Sequence, residues 1–223
     1  MTRLVLVALV AAATLGACSG GSRGSEGSAA NPVAFPLFGG SEVLSAHSWH
    51  DTIAARPGTA DSAIFAQGAG TYDGHDVVAG TQAVMPALEA WLEDLGAHPP
   101  GDYRVAVTGS GIDAAREHAR DLGLDFIAFE NSEAGKRHGV VVMVVDPETL
   151  DAKIGPLLGL IGRFKHVPKM WRDPLDAQAK KQTGFSISEA TDPDTPIGAA
   201  IAALDDLRNY GGRGIVLIDA VKQ

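Results

Sequence analysis

The sequence predicts a single α/β domain with a mixed sheet of about five strands flanked by helices. Three observations support this fold class. A strand pattern, a helical pattern and a second strand pattern follow one another between Tyr103 and Phe129. The β-branched run Gly139–Val145 is typical of a central strand that is buried on both faces. Two other segments, near Trp91 and near Leu204, repeat apolar residues at helical spacing.

The first part of the domain is expected to contain a helix, a hairpin and a second helix. Ser41–Arg56 is predicted as a helix because a serine can cap its start and a proline follows its end. Ala63–Gln67 fits a short strand, and the glycines after it predict a loop or hairpin that returns at Val77–Val78. The apolar spacing from Gln82 to Leu95 predicts a helix that ends at a glycine.

The middle of the chain predicts a compact β-α-β unit. Tyr103–Thr108 alternates as a strand, Ile112–Leu122 carries apolar residues on one helical face, and Asp125–Phe129 is a second strand. A right-handed parallel crossover is the usual geometry for such a unit. The Gly139–Val145 strand then follows and ends at Asp146-Pro147.

The last part predicts two helices and a terminal strand. Ile154–Phe164 is apolar but too short to span a bilayer, so it is interpreted as a buried or interfacial helix. Thr195-Pro196 predicts a helix start, because threonine caps helices and proline is favoured in the first turn. That helix is expected to end at Gly211-Gly212, and Ile215–Ile218 predicts the terminal strand.

The composition is acidic. The chain has 223 residues, of which 45% are hydrophobic, and a formal net charge of -9. Because nucleic acids are bound chiefly through clustered Lys and Arg, this balance argues against a nucleic-acid partner. It also disfavours general adhesion to anionic lipid headgroups. We predict no cofactor.

The N-terminus has the order of a secretory signal. A basic start at Arg3 precedes an apolar run, Leu4–Val10, and small residues lead to Leu15-Gly16-Ala17-Cys18. This last segment resembles the lipobox of bacterial lipoprotein precursors. The resemblance implies that residues 1–17 are removed and that Cys18 becomes the lipidated first residue. Cys18 is the only cysteine, so an intramolecular disulfide is impossible.

This resemblance sets the expected organisation of the protein. Residues 18–31 combine the lipidated cysteine with a flexible Gly/Ser tether, and residues 32–223 form the single domain. Ser19 stands where the family places Asp for inner-membrane retention, so the resemblance implies the periplasmic face of the outer membrane. Acyl chains on Cys18 would attach the protein to that membrane. We expect a binding or scaffolding role more than catalysis.

The turn Gly109–Ala114 is one alternative site. It matches the Gly-x-Gly-x-x-Gly/Ala dinucleotide fingerprint, and Glu130 follows about 20 residues later, where an acid that bonds a ribose is expected. Gly109, Ser110 and Gly111 would let a pyrophosphate approach the start of the helix. The same glycines also suit an ordinary strand-to-helix turn, and the carboxylate of Asp113 would repel a phosphate there.

Histidines offer a second alternative. In the predicted Ser41–Arg56 helix, His47, His50 and Asp51 would share one side, and these residue types can hold zinc. No dense zinc motif is present, so scattered surface histidines are the other interpretation.

A basic island interrupts the acidic chain. Between Asp151 and Gln182 there are seven Lys or Arg residues and only three Asp residues. Its candidate contact residues are Lys165, Lys169, Trp171 and Arg172. These could bind an acidic envelope protein or peptidoglycan, with the tryptophan as an anchor. Alternatively, the island is a solvated helical surface whose lysine stems cover the core.

Charge reversal tests the basic island. The triple substitution Lys165→Glu, Lys169→Glu and Arg172→Glu should lower the recovery of envelope partners or peptidoglycan in a pull-down about tenfold or more. Reversal of Arg23, Arg56 and Lys136 makes the same change in net charge elsewhere and should leave recovery unchanged. Equal recovery with both triple variants would remove the island as a partner surface.

Overall fold

The described part of the chain forms one open six-stranded sheet in the order β1-β2-β6-β5-β4-β3. The computed structural model describes residues 31–53, 70–106, 110–133, 136–153, 155, 173–174, 176–177, 188 and 196–223. The strands are β1 (Glu42–Ile53), β2 (Gly70–Thr81), β3 (Arg104–Val105), β4 (Leu124–Glu133), β5 (Lys136–Val145) and β6 (Arg213–Lys222). The helices are α1 (Met85–Ala97), α2 (Ser110–Arg120), α3 (147–153) and α4 (Pro196–Tyr210).

The α/β class, with a sheet flanked by helices, is confirmed. Every adjacent pair of described strands is antiparallel. The predicted parallel crossover is therefore wrong. β3 pairs with β4 in antiparallel register, with Arg104 opposite Glu130 and Val105 opposite Phe129.

Ion pairs at the start of β4 fix the position of the helix that precedes it. The guanidinium groups of Arg116 and Arg120 on α2 donate hydrogen bonds of 2.7–3.0 Å to the fully buried carboxylate of Asp125. This hydrogen bonding raises the pKa of Arg120. α2 is thereby held beside the first residues of β4. The chain re-enters the sheet at the end where β3 stops, and the new strand runs the opposite way.

The predicted helix Ser41–Arg56 is also wrong, because residues 42–53 form β1. β1 pairs with β2 from Glu42 opposite Gly80 to Ile53 opposite Gly70, with a bulge between Val43 and Ser45. Hydrogen bonds along this long ladder satisfy the backbone N–H and C=O groups of both strands. The capping signals within Ser41–Arg56 carry no information about this pairing with a distant segment. The predicted return strand at Val77–Val78 lies within β2, and the candidate strand 63–67 lies outside the described residues.

The loop or hairpin predicted from the glycines before Val77–Val78 is wrong where it is described, because Gly70 and Gly74 lie within β2. The predicted strand Tyr103–Thr108 is limited to Arg104–Val105 among the described residues. The remaining predictions of elements in the described ranges are confirmed. The helix near Trp91 is α1, the helix near Ala115 is α2, and the helix that begins at Pro196 is α4. β5 is buried on both faces, as its composition predicted, and β6 is the expected terminal strand. No helix among the described residues has the length and apolar content needed to cross a membrane. The predicted helix 154–164 lies outside the described residues, apart from Gly155.

The two faces of the sheet carry separate cores. The face under α1, here named the α1 face, buries large side chains from four strands and the helix (Val77, Leu88, Leu92, Phe129, Val140, Val142, Ile215 and Leu217). The opposite α4 face buries a second set (Val78, Ala119, Leu122, Phe126, Val145, Leu204 and Leu207). Because side chains alternate along a strand, each central strand contributes to both cores.

The segment that precedes β1 closes one side of the α1 face. Val33 and Phe35 are buried in the α1-face core. The Asn31 side chain fixes their backbone by accepting from the Val33 N–H at 3.0 Å and donating to the Phe35 carbonyl at 3.1 Å. The Phe35 ring packs against Phe129 at 5.0 Å and edge-on against Tyr103 at 5.3 Å, measured between ring centroids. The segment therefore holds Tyr103 in place beside the sheet.

A glycine pair brings the last strand into the centre of the sheet. Gly211 has φ +72°, which ends α4. A Cβ on Gly212 would lie 2.4 Å from the carbonyl oxygen of Thr81, so only glycine allows this approach to β2. The predicted stop at Gly211-Gly212 is thus confirmed, and the same turn aligns Arg213 with Thr81.

Truncation at Leu88 tests the α1-face core. Leu88 is fully buried, so Leu88→Ala should lower the free energy of unfolding by about 2–5 kcal/mol in urea denaturation. Val84, at the start of the same helix, is 60% exposed, and Val84→Ala should change stability by no more than about 0.5 kcal/mol. Similar losses in both variants would contradict the packing of α1 on the sheet.

Candidate functional site

Five polar side chains gather at one end of the α1 face. His50 lies on β1, Asp73 and His75 on β2, His138 on β5 and Asp219 on β6. The register places His50 opposite Asp73 and His75 opposite Asp219, and alternation directs all five to the α1 face. These five residues form the histidine patch.

Asp219 is the buried centre of the patch, with 6% of its surface exposed. Its Oδ1 accepts from the His75 backbone N–H at 2.5 Å and lies 3.1 Å from the His75 Nδ1. Its Oδ2 lies 3.3 Å from the His138 Nε2. Because a carboxylate only accepts, the ring nitrogens that face it carry protons. One carboxylate therefore fixes two imidazoles, and the hydrogen bonds compensate for its burial.

His138 extends this network to Tyr103. The Tyr103 hydroxyl lies 2.9 Å from the His138 Nδ1, and the two rings meet edge to face at 5.5 Å. With the His138 Nε2 proton donated to Asp219, Nδ1 accepts from the tyrosine hydroxyl. Both nitrogens of His138 are thus engaged. This ring positions Asp219 and leaves no nitrogen for a ligand.

His75 differs from His138 in this respect. Its Nδ1 is engaged with Asp219, but its Nε2 has no hydrogen-bond partner among the described residues, and 35% of the side chain is exposed. A carboxylate on Nδ1 fixes the tautomer and orientation of an imidazole, so that Nε2 can accept or release a proton. His75 is therefore the residue of the patch best arranged for acid-base chemistry or ligand binding.

The second pair of the patch is more exposed. The His50 Nδ1 lies 2.5 Å from Asp73 Oδ1, and the side chains are 63% and 49% exposed. The Gln223 side-chain amide donates to the other oxygen of Asp73. An exposed pair of this kind contributes about 0–1 kcal/mol to stability. Its effect is to orient the His50 imidazole at the surface.

The proposed zinc ligands do not assemble on one helical side. His47 and His50 lie on β1, where an odd separation places their side chains on opposite faces of the sheet. Asp51 is on the same strand, two positions short of its end. Among the described residues no group of His, Cys, Asp and Glu is arranged to hold a metal ion. Of the three predicted ligands, only His50 belongs to the histidine patch, where it pairs with Asp73 on the neighbouring strand.

The arrangement of β3 and β4 differs from the one that the predicted nucleotide site requires. The fingerprint requires a parallel β-α-β unit, whereas β3 and β4 are antiparallel. Ser110 and Gly111 begin α2, and Gly109 lies outside the described residues. The carboxylate of Glu130 is 2.9 Å from the guanidinium of Arg104, its cross-strand neighbour.

Sequence reasoning missed Asp219, Asp73, His138 and Tyr103 as members of a site. One signal could have indicated the first: Asp219 follows the apolar run Ile215–Ile218 and precedes Ala220, so an acid occupies a buried strand. A buried carboxylate requires partners. Nothing local reveals that those partners are His75 and His138. Cys18, and the basic-island residues Lys165, Lys169, Trp171 and Arg172, lie outside the described residues.

The chain matches no family model, no curated protein and no solved structure.

Removal of the Asp219 charge tests the network. Asp219→Asn should lower the free energy of unfolding by about 1–3 kcal/mol, because the partly buried ring N–H groups of His75 and His138 lose their charged acceptor. In ¹⁵N spectra of the imidazoles, His75 should lose its preference for a proton on Nδ1.

Asp73→Asn is the matched control for this measurement. It removes a carboxylate that also faces a histidine, but its pair is exposed, so stability should change by no more than about 1 kcal/mol. His75 should keep its tautomer in this variant. An unchanged His75 spectrum in Asp219→Asn would contradict the network.

Proposed function

We propose that this protein is a lipid-anchored lipoprotein of the cell envelope whose sheet domain binds or scaffolds another envelope component. The observation that carries the proposal is Leu15-Gly16-Ala17-Cys18 after a basic and apolar start, with no other cysteine in the chain. Diacylglyceryl and acyl groups on Cys18 would hold the protein at the membrane, because two or more chains give stable anchoring.

The burial of Val33, close to the start of the described residues, supports a tether between lipid and domain. Val33 is 4% exposed and belongs to the α1-face core. Residues 19–31 are mostly Gly, Ser and Ala. At full extension such a segment reaches about 45 Å. This length would let the domain work at a distance from the membrane surface.

The histidine patch supports binding as the role of the domain. His50, His75 and Asp73 are partly or largely exposed, and each imidazole is oriented by a carboxylate. Groups held in one orientation before binding lose less entropy when a ligand arrives. The patch therefore offers hydrogen-bonding groups to a partner. The outer membrane, facing the periplasm, is the proposed location because Ser19 is not the acid that implies inner-membrane retention.

Substitution of Cys18 tests the anchor. Cys18→Ser should abolish incorporation of a labelled fatty acid and move the protein from the membrane to the soluble fraction of a bacterial host. Ser19→Ala changes the neighbouring residue without removing the thiol and should keep both label and membrane association. Undiminished labelling of Cys18→Ser would overturn the proposal.

A further inference from the structure

A serine completes a row of three residues across neighbouring strands. Ser48 on β1 lies directly opposite His75 on β2, and His75 lies directly opposite Asp219 on β6. All three side chains lie on the α1 face. Residues directly opposite each other have Cβ atoms about 4.5–5.5 Å apart, so the register makes the side chains of Ser48 and His75 neighbours on one face.

We propose that Ser48, His75 and Asp219 form a Ser-His-Asp constellation that hydrolyses carboxylic esters. Ser48 is the nucleophile, His75 is the general base and then the general acid, and Asp219 positions His75. Such constellations are recognised by geometry and roles, since they recur on unrelated folds in different chain orders. This activity goes beyond the proposed binding role and does not depend on the lipid anchor.

The exposure of each of the three side chains suits its proposed role in the reaction. Ser48 is exposed, His75 is 35% exposed and Asp219 is buried. A substrate can therefore approach the serine, whereas the carboxylate is shielded from water. His138 and the His75 backbone N–H fix the carboxylate from other sides. His75 Nε2, the nitrogen without a partner among the described residues, is the atom that would take the serine proton.

A second oriented imidazole lies beside the nucleophile. His50 is two residues after Ser48 on β1, so both side chains lie on the same face of the strand. Asp73 holds the His50 Nδ1 at 2.5 Å. In its protonated form His50 can donate from Nε2. Side-chain donors of this kind stabilise the oxyanion that forms on a carbonyl oxygen during acyl transfer.

The reaction balances with water as the only co-reactant. The Ser48 oxygen attacks the ester carbonyl carbon while its proton passes to His75 Nε2. The carbon–oxygen bond to the alcohol then breaks, and the departing alcohol takes that proton. Water attacks the acyl-serine in the same way, which releases the carboxylic acid and restores Ser48. Esters are the favoured substrate class because their alcohols are better leaving groups than the amines of amides.

A fluorophosphonate probe tests the proposal on the full-length chain purified in detergent. The wild-type protein should gain the mass of one probe, and peptide mapping should place it on Ser48. Ser48→Ala should abolish labelling, and His75→Gln should slow it about a hundredfold or more. Hydrolysis of p-nitrophenyl acetate should fall in the same two variants.

Ser45→Ala is the matched control. Ser45 lies on the same strand but pairs with Val78, whose side chain belongs to the α4 face, so labelling should match the wild type. Ser48 is exposed, and Ser48→Ala should keep the wild-type melting temperature. Absence of a Ser48 adduct on folded protein would overturn the proposal, as would wild-type labelling of folded His75→Gln.

Discussion

The structure depends on the insertion of the C-terminal strand between two hairpins. β6 pairs with β2 along ten residues, from Arg213 opposite Thr81 to Lys222 opposite Tyr72, and with β5 on its other side. β1–β2 and β4–β5 share no ladder with each other. Both cores therefore become continuous only when the last strand is in place. These strand pairings join residues that are far apart in sequence, so forming them costs chain entropy. The burial of apolar side chains along the paired strands offsets this cost.

The same insertion forms the histidine patch. Asp219 lies on β6, between His75 on one neighbouring strand and His138 on the other. Without β6 each histidine would belong to a separate hairpin. Since a buried carboxylate is costly unless it is hydrogen-bonded, the two imidazoles stabilise the strand that orients them. The Asp219 side chain therefore contributes both to the stability of the sheet and to the orientation of the histidines.

Several elements of this fold are specified by residues adjacent in the sequence. The helices near Trp91 and Leu204 were predictable because amphipathic spacing is a local property. The strand Gly139–Val145 was predictable from composition, since a continuous β-branched run suits burial on both faces. Ser41–Arg56 was wrongly predicted as a helix because a capping serine and a later proline are typical helix ends. Its polar residues obscure the apolar alternation of a strand. The crossover between β3 and β4 misled because the helix packs beside one strand rather than across the sheet.

The sequence by itself determined the α/β class, most of the elements and the expectation that Cys18 is lipidated, because each depends on residues adjacent along the chain. Only the tertiary structure decided the antiparallel arrangement of the strands and the hydrogen-bond partner of each histidine. His50, which local spacing grouped with His47 and Asp51, has Asp73 as its partner. The physical reason is that pairing register depends on contacts between segments far apart in sequence. One shift of register would move a side chain to the other face.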